Sequence, residues 1–227
     1  MKTLNNSEVC ILIPAFNESL KINHVLKEIN EFDVSTLVVD DGSTDNTVEI
    51  CKQKPNITLI EHKDNLGYEK ALNTGFNYLS KKNFKYIVTL DADGQISVND
   101  VFKFVKLANE EGLDLVVGHR SYMNRISEFI FSVISRFFLD LKDPFCGLKL
   151  YKLNSIKNFL PFDSYNLIGS ELLLRSKYNN LRIAHLPIKI KKREGLSRFG
   201  NNMYGEYKVI KASFFILINH FFKNKFM

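Results

Sequence analysis

The chain has 227 residues, 45% of them apolar, with an ordinary charged fraction. It can therefore bury the core of one α/β domain with a short appendage, and disorder of the whole is excluded. Basic residues outnumber acidic ones by 31 to 25, which suits a phosphate-rich ligand or an anionic membrane surface, and no zinc-finger, RRM or basic-helix pattern points to nucleic acid.

Three scattered cysteines, Cys10, Cys51 and Cys146, form neither a CxxC pair nor an even disulfide framework, and Cys10 reads as core. The N-terminus lacks the apolar stretch of a signal peptide, and the longest apolar run, 212–222, falls well short of the ~20 residues that span a bilayer.

Val9 to Ile13 reads as a buried strand closed by Pro14. Asn17 or Ser19 can cap a helix that places Ile22, Val25, Leu26 and Ile29 on one face. Thr36 to Val39 is a second strand, and Thr44 or Asp45 begins the next helix. Ile57 to Ile60 is a third strand, followed by a helix from about Leu66 to Ser80. A fourth strand starts at Tyr86, an amphipathic helix carries Val98, Val101, Phe102, Val105 and Ala108, and Leu113 to Val117 supplies a fifth strand. Strands alternating with helices at this spacing predict an α/β fold with a mainly parallel sheet flanked by helices.

Three of these strands end in polar loops: Pro14-Ala-Phe-Asn-Glu18, Asp40-Asp-Gly-Ser43 and Asp91-Ala-Asp-Gly-Gln95. In a parallel sheet those ends share one edge, where open α/β sheets hold their ligands. Asp91 and Asp93 repel each other unless a cation lies between them. Hard divalent ions take oxygen donors such as Asp91, Asp93 and the Gln95 carbonyl. A solvated acidic turn is the plainer reading, and convergence of three such loops weakens it. The dinucleotide fingerprint GxGxxG and the P-loop GxxxxGK[ST] are both absent.

Ile13-Pro-Ala-Phe-Asn-Glu18, Val38-Val-Asp-Asp-Gly-Ser-Thr-Asp45, Asn65-Leu-Gly67 with Ala71 and Gly75, and Asp91-Ala-Asp-Gly-Gln95 together resemble the family 2 glycosyltransferases of GT-A fold. The subgroup most alike is that of dolichol-phosphate mannose synthase and the polyprenyl-phosphate glycosyltransferases. The resemblance implies a Rossmann-like catalytic domain over 1–203, its nucleotide-sugar half about 1–120 and its acceptor half about 121–203. It implies that Pro14, Phe16, Glu18, Val39, Asp41, Asp91 and Ala92 line the nucleotide sugar. Asp91, Asp93 and Gln95 would hold Mg2+ or Mn2+ on the diphosphate. Tyr68 departs from the pattern, since many members carry lysine there.

The second half is read partly from the same resemblance. Gly118-His119-Arg120 stands where the family has Gly-Ser-Arg, making Arg120 a candidate phosphate or acceptor contact and His119 a bystander. Apolar positions 126, 129, 130, 133, 134, 137, 138 and 141 form a helical stripe. That stripe suits either a packed helix, against the sheet or a second copy, or a helix lying in a membrane interface. Asp143-Pro-Phe-Cys-Gly-Leu-Lys149 resembles the family's Asp-x-x-Ser-Gly-Phe-Arg, and glycosyl transfer gives Cys146 no nucleophilic role. Glu171 opens a helix where the family places an acidic residue near the acceptor. His185 to Lys192 alternates as a strand, with Ile188 and Ile190 on one face. Arg193-Glu-Gly-Leu-Ser-Arg198 resembles Arg-x-x-Gly-x-Ser-Lys, so Arg193 and Arg198 are candidates for phosphate oxygens. Residues 204–227 form an amphipathic helix with flanking lysines, suited to a membrane, the core or an oligomer.

The expected activity is inverting transfer of a hexose from a UDP- or GDP-sugar to a polyprenyl or dolichyl phosphate, with Asp93, Glu171, Arg193 and Arg198 as the catalytic set. A hydroxyl of a growing polysaccharide or lipid-linked glycan is the alternative acceptor, and Glu171 would then be its base. The expected place is the cytoplasmic face of a membrane, with an integral-membrane partner or a second copy as possible company.

Overall fold

A computed structural model describes residues 6–121, 123, 126–162, 167, 169–191 and 203–222. Arg193 and Arg198 lie outside the described residues. The strands are β1 (Val9–Ala15), β2 (Ser35–Asp40), β3 (Ile57–Glu61), β4 (Tyr86–Thr89), β5 (Leu115–Arg120), β6 (Lys149–Lys152) and β7 (Ile183–Ile188). They form one sheet in the order β3-β2-β1-β4-β6-β5-β7. All run parallel except β6, which pairs antiparallel with β4 on one side and β5 on the other.

Helices cover both faces, which is why β1 is buried at every position and carries no alternation. On one face lie α1 (Ser19–Asn30), α2 (Thr47–Lys52) and α4 (Val98–Glu111), packed on Val9, Ile11, Ile13 and Ala15. On the other lie α3 (Tyr68–Leu79), α5 (Ile126–Leu139), α6 (Leu153–Ile156), α7 (Glu171–Tyr178) and α8 (Met203–Phe222), packed around Cys10 and Leu12. The expected face of α1 is the buried one: Ile22, Val25, Leu26 and Ile29. In α4 the fully buried aromatic is Phe104, while Phe102 is only partly buried and stacks on Phe32.

Two local expectations change. β1 does not close at Pro14 but runs on to Ala15, with Pro14 opposite Val39. Leu12 directs its carbonyl to Leu90, and Pro14, two residues on, faces the same side. There the β4 ladder has already ended at Thr89, so the missing N–H leaves no partner unmet. The helix after β1 begins without a side-chain cap, because Asn17 instead accepts the Thr44 N–H at 2.8 Å.

The α5 stripe faces outward, except that Leu141 lies beyond the end of the helix and is wholly buried. Ile126, Phe129, Ile130, Val133, Phe137 and Phe138 are exposed, whereas Ser127, Glu128, Phe131, Ser132, Ser135 and Leu139 are buried. Ser132 and Ser135 satisfy their hydroxyls locally, on the carbonyls of Phe129 (2.8 Å) and of Ser132 and Leu141 (3.1 and 2.8 Å), so their burial leaves no bond unmade. Helix α8 packs beside α5 and buries Val209, Ala212 and Ile216, leaving Tyr207, Ile210, Phe214 and Ile218 exposed. Both helices bury their opposite edges in the same core, so their apolar stripes look out from the same layer.

Gly75 in α3 tests how tightly this face is packed. A Cβ there would sit 2.3 Å from Leu12 Cδ1, and Leu12 is wholly buried in a central strand. Alanine favours a helix over glycine by about 1 kcal/mol, but the clash has no room to relax. Gly75→Ala is therefore expected to lower stability, by about 1–3 kcal/mol in urea denaturation. A gain in stability would show that the α3–β1 contact is loose.

Candidate active site: carboxylates at the strand ends

The loops after β1 and β2 are tied together by hydrogen bonds. The Asn17 N–H donates to Ser43 Oγ (2.9 Å), the Glu18 N–H to Thr47 Oγ1 (2.9 Å) and the Ser19 N–H to Asp45 Oδ2 (3.1 Å). Burial works to raise the Asp45 carboxyl, but hydrogen bonds from Thr47 and Ser19 outweigh it and hold the group below its ordinary value. Asp40 accepts both the N–H (2.9 Å) and the hydroxyl (2.5 Å) of Ser43, closing its own loop. Pro14, Glu18, Val39 and Asp41 are buried along this edge, and Phe16 is half-buried.

Asp41 reaches across to the loop after β3. Its Oδ1 accepts the Leu66 N–H (3.0 Å) and lies 2.8 Å from His62 Nδ1, and its Oδ2 accepts the Gly67 N–H (2.8 Å). His62 Nε2 lies 2.9 Å from Thr74 Oγ1 on α3. Asp41, expected to line the nucleotide, thus also anchors the entry to α3. His62 was not among the expected site residues. Its place one residue beyond β3, on the edge where the other loops gather, was the available signal.

The third loop follows β4. Ala92 is wholly buried, while Asp91, Asp93 and Gln95 are half-buried. Asp91 Oδ1 accepts the Tyr68 hydroxyl at 3.1 Å, and Asp93 Oδ1 accepts the Gln95 N–H at 3.1 Å. A Cβ on Gly147 would stand 2.1 Å from Asp91 Oδ2, so only glycine leaves that carboxylate its place. The donor set fits a hard divalent cation: two carboxylates one residue apart beside a carboxamide. Among the described residues no third His, Cys, Asp or Glu joins them, which leaves the other coordination positions to a ligand's oxygens and water. The main-chain carbonyl of Gln95 accepts the Lys191 N–H at 2.9 Å, so the expected Gln95 donor is better sought in its side chain.

Strand β6 brings the Asp143–Lys149 segment next to this loop, because Lys149 pairs with Thr89. Lys149 is buried, donates to the carbonyls of Cys146 (2.5 Å) and Gly169 (3.3 Å), and is pushed below the usual lysine range by burial, against the pull of Cys146, Asp143 and Asp91. Burial pushes the Cys146 thiol up to about 12, in keeping with the expectation that it is no nucleophile.

Arg120 grips Asp143 in a fork, Nε to Oδ2 at 2.7 Å and an Nη to Oδ1 at 2.9 Å, and pairs with Glu128 at 3.2 Å. Burial opposes its charge, but the Asp143 contacts outweigh that and raise its pKa further above the ordinary value. Arg120 therefore joins β5, α5 and the Asp143 loop, and its guanidinium is committed to carboxylates. Burial and Lys142 push the neighbouring His119 down. Glu171 is buried and accepts from Arg175 at 2.7 Å, and Arg175 in turn donates to the Phe159 and Pro161 carbonyls.

The family model for glycosyl transferase family 2 matches residues 10–190, which contain all three strand-end loops. The chain belongs to glycosyltransferase family 2. An uncharacterized protein of Methanocaldococcus jannaschii is 31% identical to this family 2 chain, over 91% of each. The UDP-N-acetylglucosamine–dolichyl-phosphate N-acetylglucosaminyltransferase of Methanococcus voltae is 26% identical, over 88% of this chain and 92% of its own. The structure of glucosyl-3-phosphoglycerate synthase from Mycobacterium tuberculosis, in complex with Mn2+, uridine diphosphate and glucosyl-3-phosphoglycerate, aligns with a TM-score of 0.74. It is 19% identical and covers 94% of this chain and 80% of its own, a likeness of GT-A fold.

Asp41→Ala in this glycosyltransferase would take away the acceptor of the part-buried Leu66 and Gly67 N–H groups and the partner of His62. The expected cost is about 3 kcal/mol of stability, at ~1–3 kcal/mol for each unmet group, together with weakened nucleoside diphosphate binding. Thermal melting and calorimetric titration check both, and an unchanged melting point would contradict the anchoring role.

Proposed function

We propose that this family 2 glycosyltransferase moves one sugar, with inversion, from a nucleotide-diphosphate sugar to a polyprenyl phosphate at a membrane surface. The observation that carries the acceptor is the outward apolar stripe of α5, doubled by that of α8. Among the described residues ten large apolar side chains face solvent across α5, in the acceptor half, and the neighbouring α8. Exposed Arg136 and Lys211 lie among them and suit an anionic headgroup layer. No helix among the described residues is long and apolar enough to cross a membrane. The proposed attachment of α5 and α8 is peripheral. The dolichyl-phosphate relative supports the same acceptor class. The side of the membrane is proposed to be the cytoplasmic one, where nucleotide sugars are made.

Pro14, Phe16, Glu18, Val39, Asp41 and Ala92 are proposed to enclose the nucleotide, with Asp41 holding the β3–α3 loop in place around it. Asp91, Asp93 and the Gln95 side chain would hold Mg2+ or Mn2+, which supplies positive charge against the departing diphosphate. An oxygen of the acceptor phosphate attacks the anomeric carbon as the bond to the leaving diphosphate breaks on the opposite side. That phosphate is already anionic near neutral pH, so no base has to remove a proton. Glu171, paired with Arg175, is then an orienting group. Arg193 and Arg198 are proposed to steady the phosphate oxygens. The main chain two residues before Arg193 is bonded at Lys191 to Gln95, which supports that placement. Arg120 is proposed to keep the acceptor half docked on the donor half through Asp143.

A panel of UDP- and GDP-sugars, with and without polyprenyl phosphate and Mn2+, tests the reading. Transfer is expected only with the lipid phosphate, and Asp93→Asn is expected to reduce it by about 10²–10³ or more. The double substitution Ile130→Asp with Phe137→Asp, both exposed, is expected to abolish co-flotation with anionic vesicles while leaving thermal stability near wild type. Transfer to a saccharide hydroxyl without lipid would overturn the acceptor, and undiminished flotation would overturn the membrane face.

A further inference from the structure

Tyr68 is the first residue of α3, and its hydroxyl lies 3.1 Å from Asp91 Oδ1. We infer that Tyr68 is a positioning residue: a neutral donor that fixes the Asp91 carboxylate for the cation without cancelling its charge. The inference rests on the proposed metal role of Asp91 and Asp93.

Three observations support it. The ring of Tyr68 lies close against Gly169, where a Cβ would come within 2.8 Å of Tyr68 Cε1 and φ is +69°. Gly169 is itself fixed from both sides, its N–H donating to Glu69 Oε1 (3.0 Å) and its carbonyl accepting from Lys149 Nζ (3.3 Å). The other oxygen of Asp91 abuts Gly147, so the carboxylate is confined at Oδ2 by backbone and directed at Oδ1 by the phenol.

The electrostatics explain why a phenol serves here. The buried Lys149 amine spends its hydrogen bonds on the Cys146 and Gly169 carbonyls and not on Asp91. A cation at position 68 would compete with a divalent ion for Asp91. A neutral hydroxyl takes one lone pair and leaves the charge and the remaining lone pairs to the metal. The segment that holds Tyr68 also runs directly into Glu171, so the acceptor half sets the geometry of the donor's carboxylate.

Tyr68→Phe separates the hydroxyl from the ring that packs on Gly169. The probe is Mn2+ titrated calorimetrically into protein saturated with UDP or GDP, whichever wild type binds more tightly in its presence. Tyr68→Phe is expected to weaken Mn2+ binding about five- to tenfold, the scale of one net hydrogen bond, with nucleotide affinity in metal-free buffer and the thermal midpoint little changed. Asp91→Asn is run beside it and is expected to weaken Mn2+ binding further. Unchanged Mn2+ affinity in Tyr68→Phe, with a normal loss in Asp91→Asn, overturns the inference alone. Unchanged affinity in Asp91→Asn overturns the metal reading of Asp91 and the inference with it. An equal loss of nucleotide affinity with and without metal would mark Tyr68 as merely structural.

Discussion

The site depends on one buried carboxylate, that of Asp41. A carboxylate removed from water is costly unless its lone pairs are met, and Asp41 meets them with the Leu66 and Gly67 N–H groups and with His62. Those bonds fix where the chain leaves β3 and where α3 starts. Since α3 begins with Tyr68, the same bonds decide where a phenol meets Asp91 at the end of β4. The two acidic loops belong to strands flanking β1 on opposite sides, and the β3–α3 loop is what couples them.

The acceptor half is organised around committed charges rather than free ones. Arg120 is held by Asp143 and Glu128, and Glu171 by Arg175. Such buried pairs contribute little net stability, but breaking one partner is costly, so they define the arrangement of β5, β6 and α5 around the cleft. Polar groups turned inward are also what allows α5 to turn its apolar residues outward. The helix has no need of its phenylalanine stripe to hold on to the sheet, since Phe131 and Leu139 do that with the buried serines.

Much of the donor half was legible in the sequence. Strong apolar runs closed by polar loops placed β1, β2 and β4, and a 3.6-residue period placed the buried face of α1 and, Phe102 apart, that of α4. Strand β6 escaped notice because Lys149–Lys152 is only four residues long and starts at the last residue of the Asp143–Lys149 motif. Its reversed direction follows from pairing between β4 and β5, a long-range fact with no local signature. The α5 stripe was correctly read as a helical period, but period alone cannot say which face meets the core. Here Ser132 and Ser135 were decisive, because both satisfy their hydroxyls on carbonyls of the helix. The engagement of Asp41 with His62, and of Tyr68 with Asp91, joins residues 21 and 23 positions apart. Such contacts emerge only when the strands are set side by side.

The central claim is that the strand-end loops form one site in which Asp91 and Asp93 carry a cation on a nucleoside diphosphate. Anomalous diffraction from crystals grown with Mn2+ and a nucleoside diphosphate tests it most directly. The account predicts a manganese peak at bonding distance from Asp91 or Asp93 and from the diphosphate, with the base beside Pro14 and Asp41. A nucleotide bound there with no manganese peak, or a peak away from both carboxylates, would contradict it.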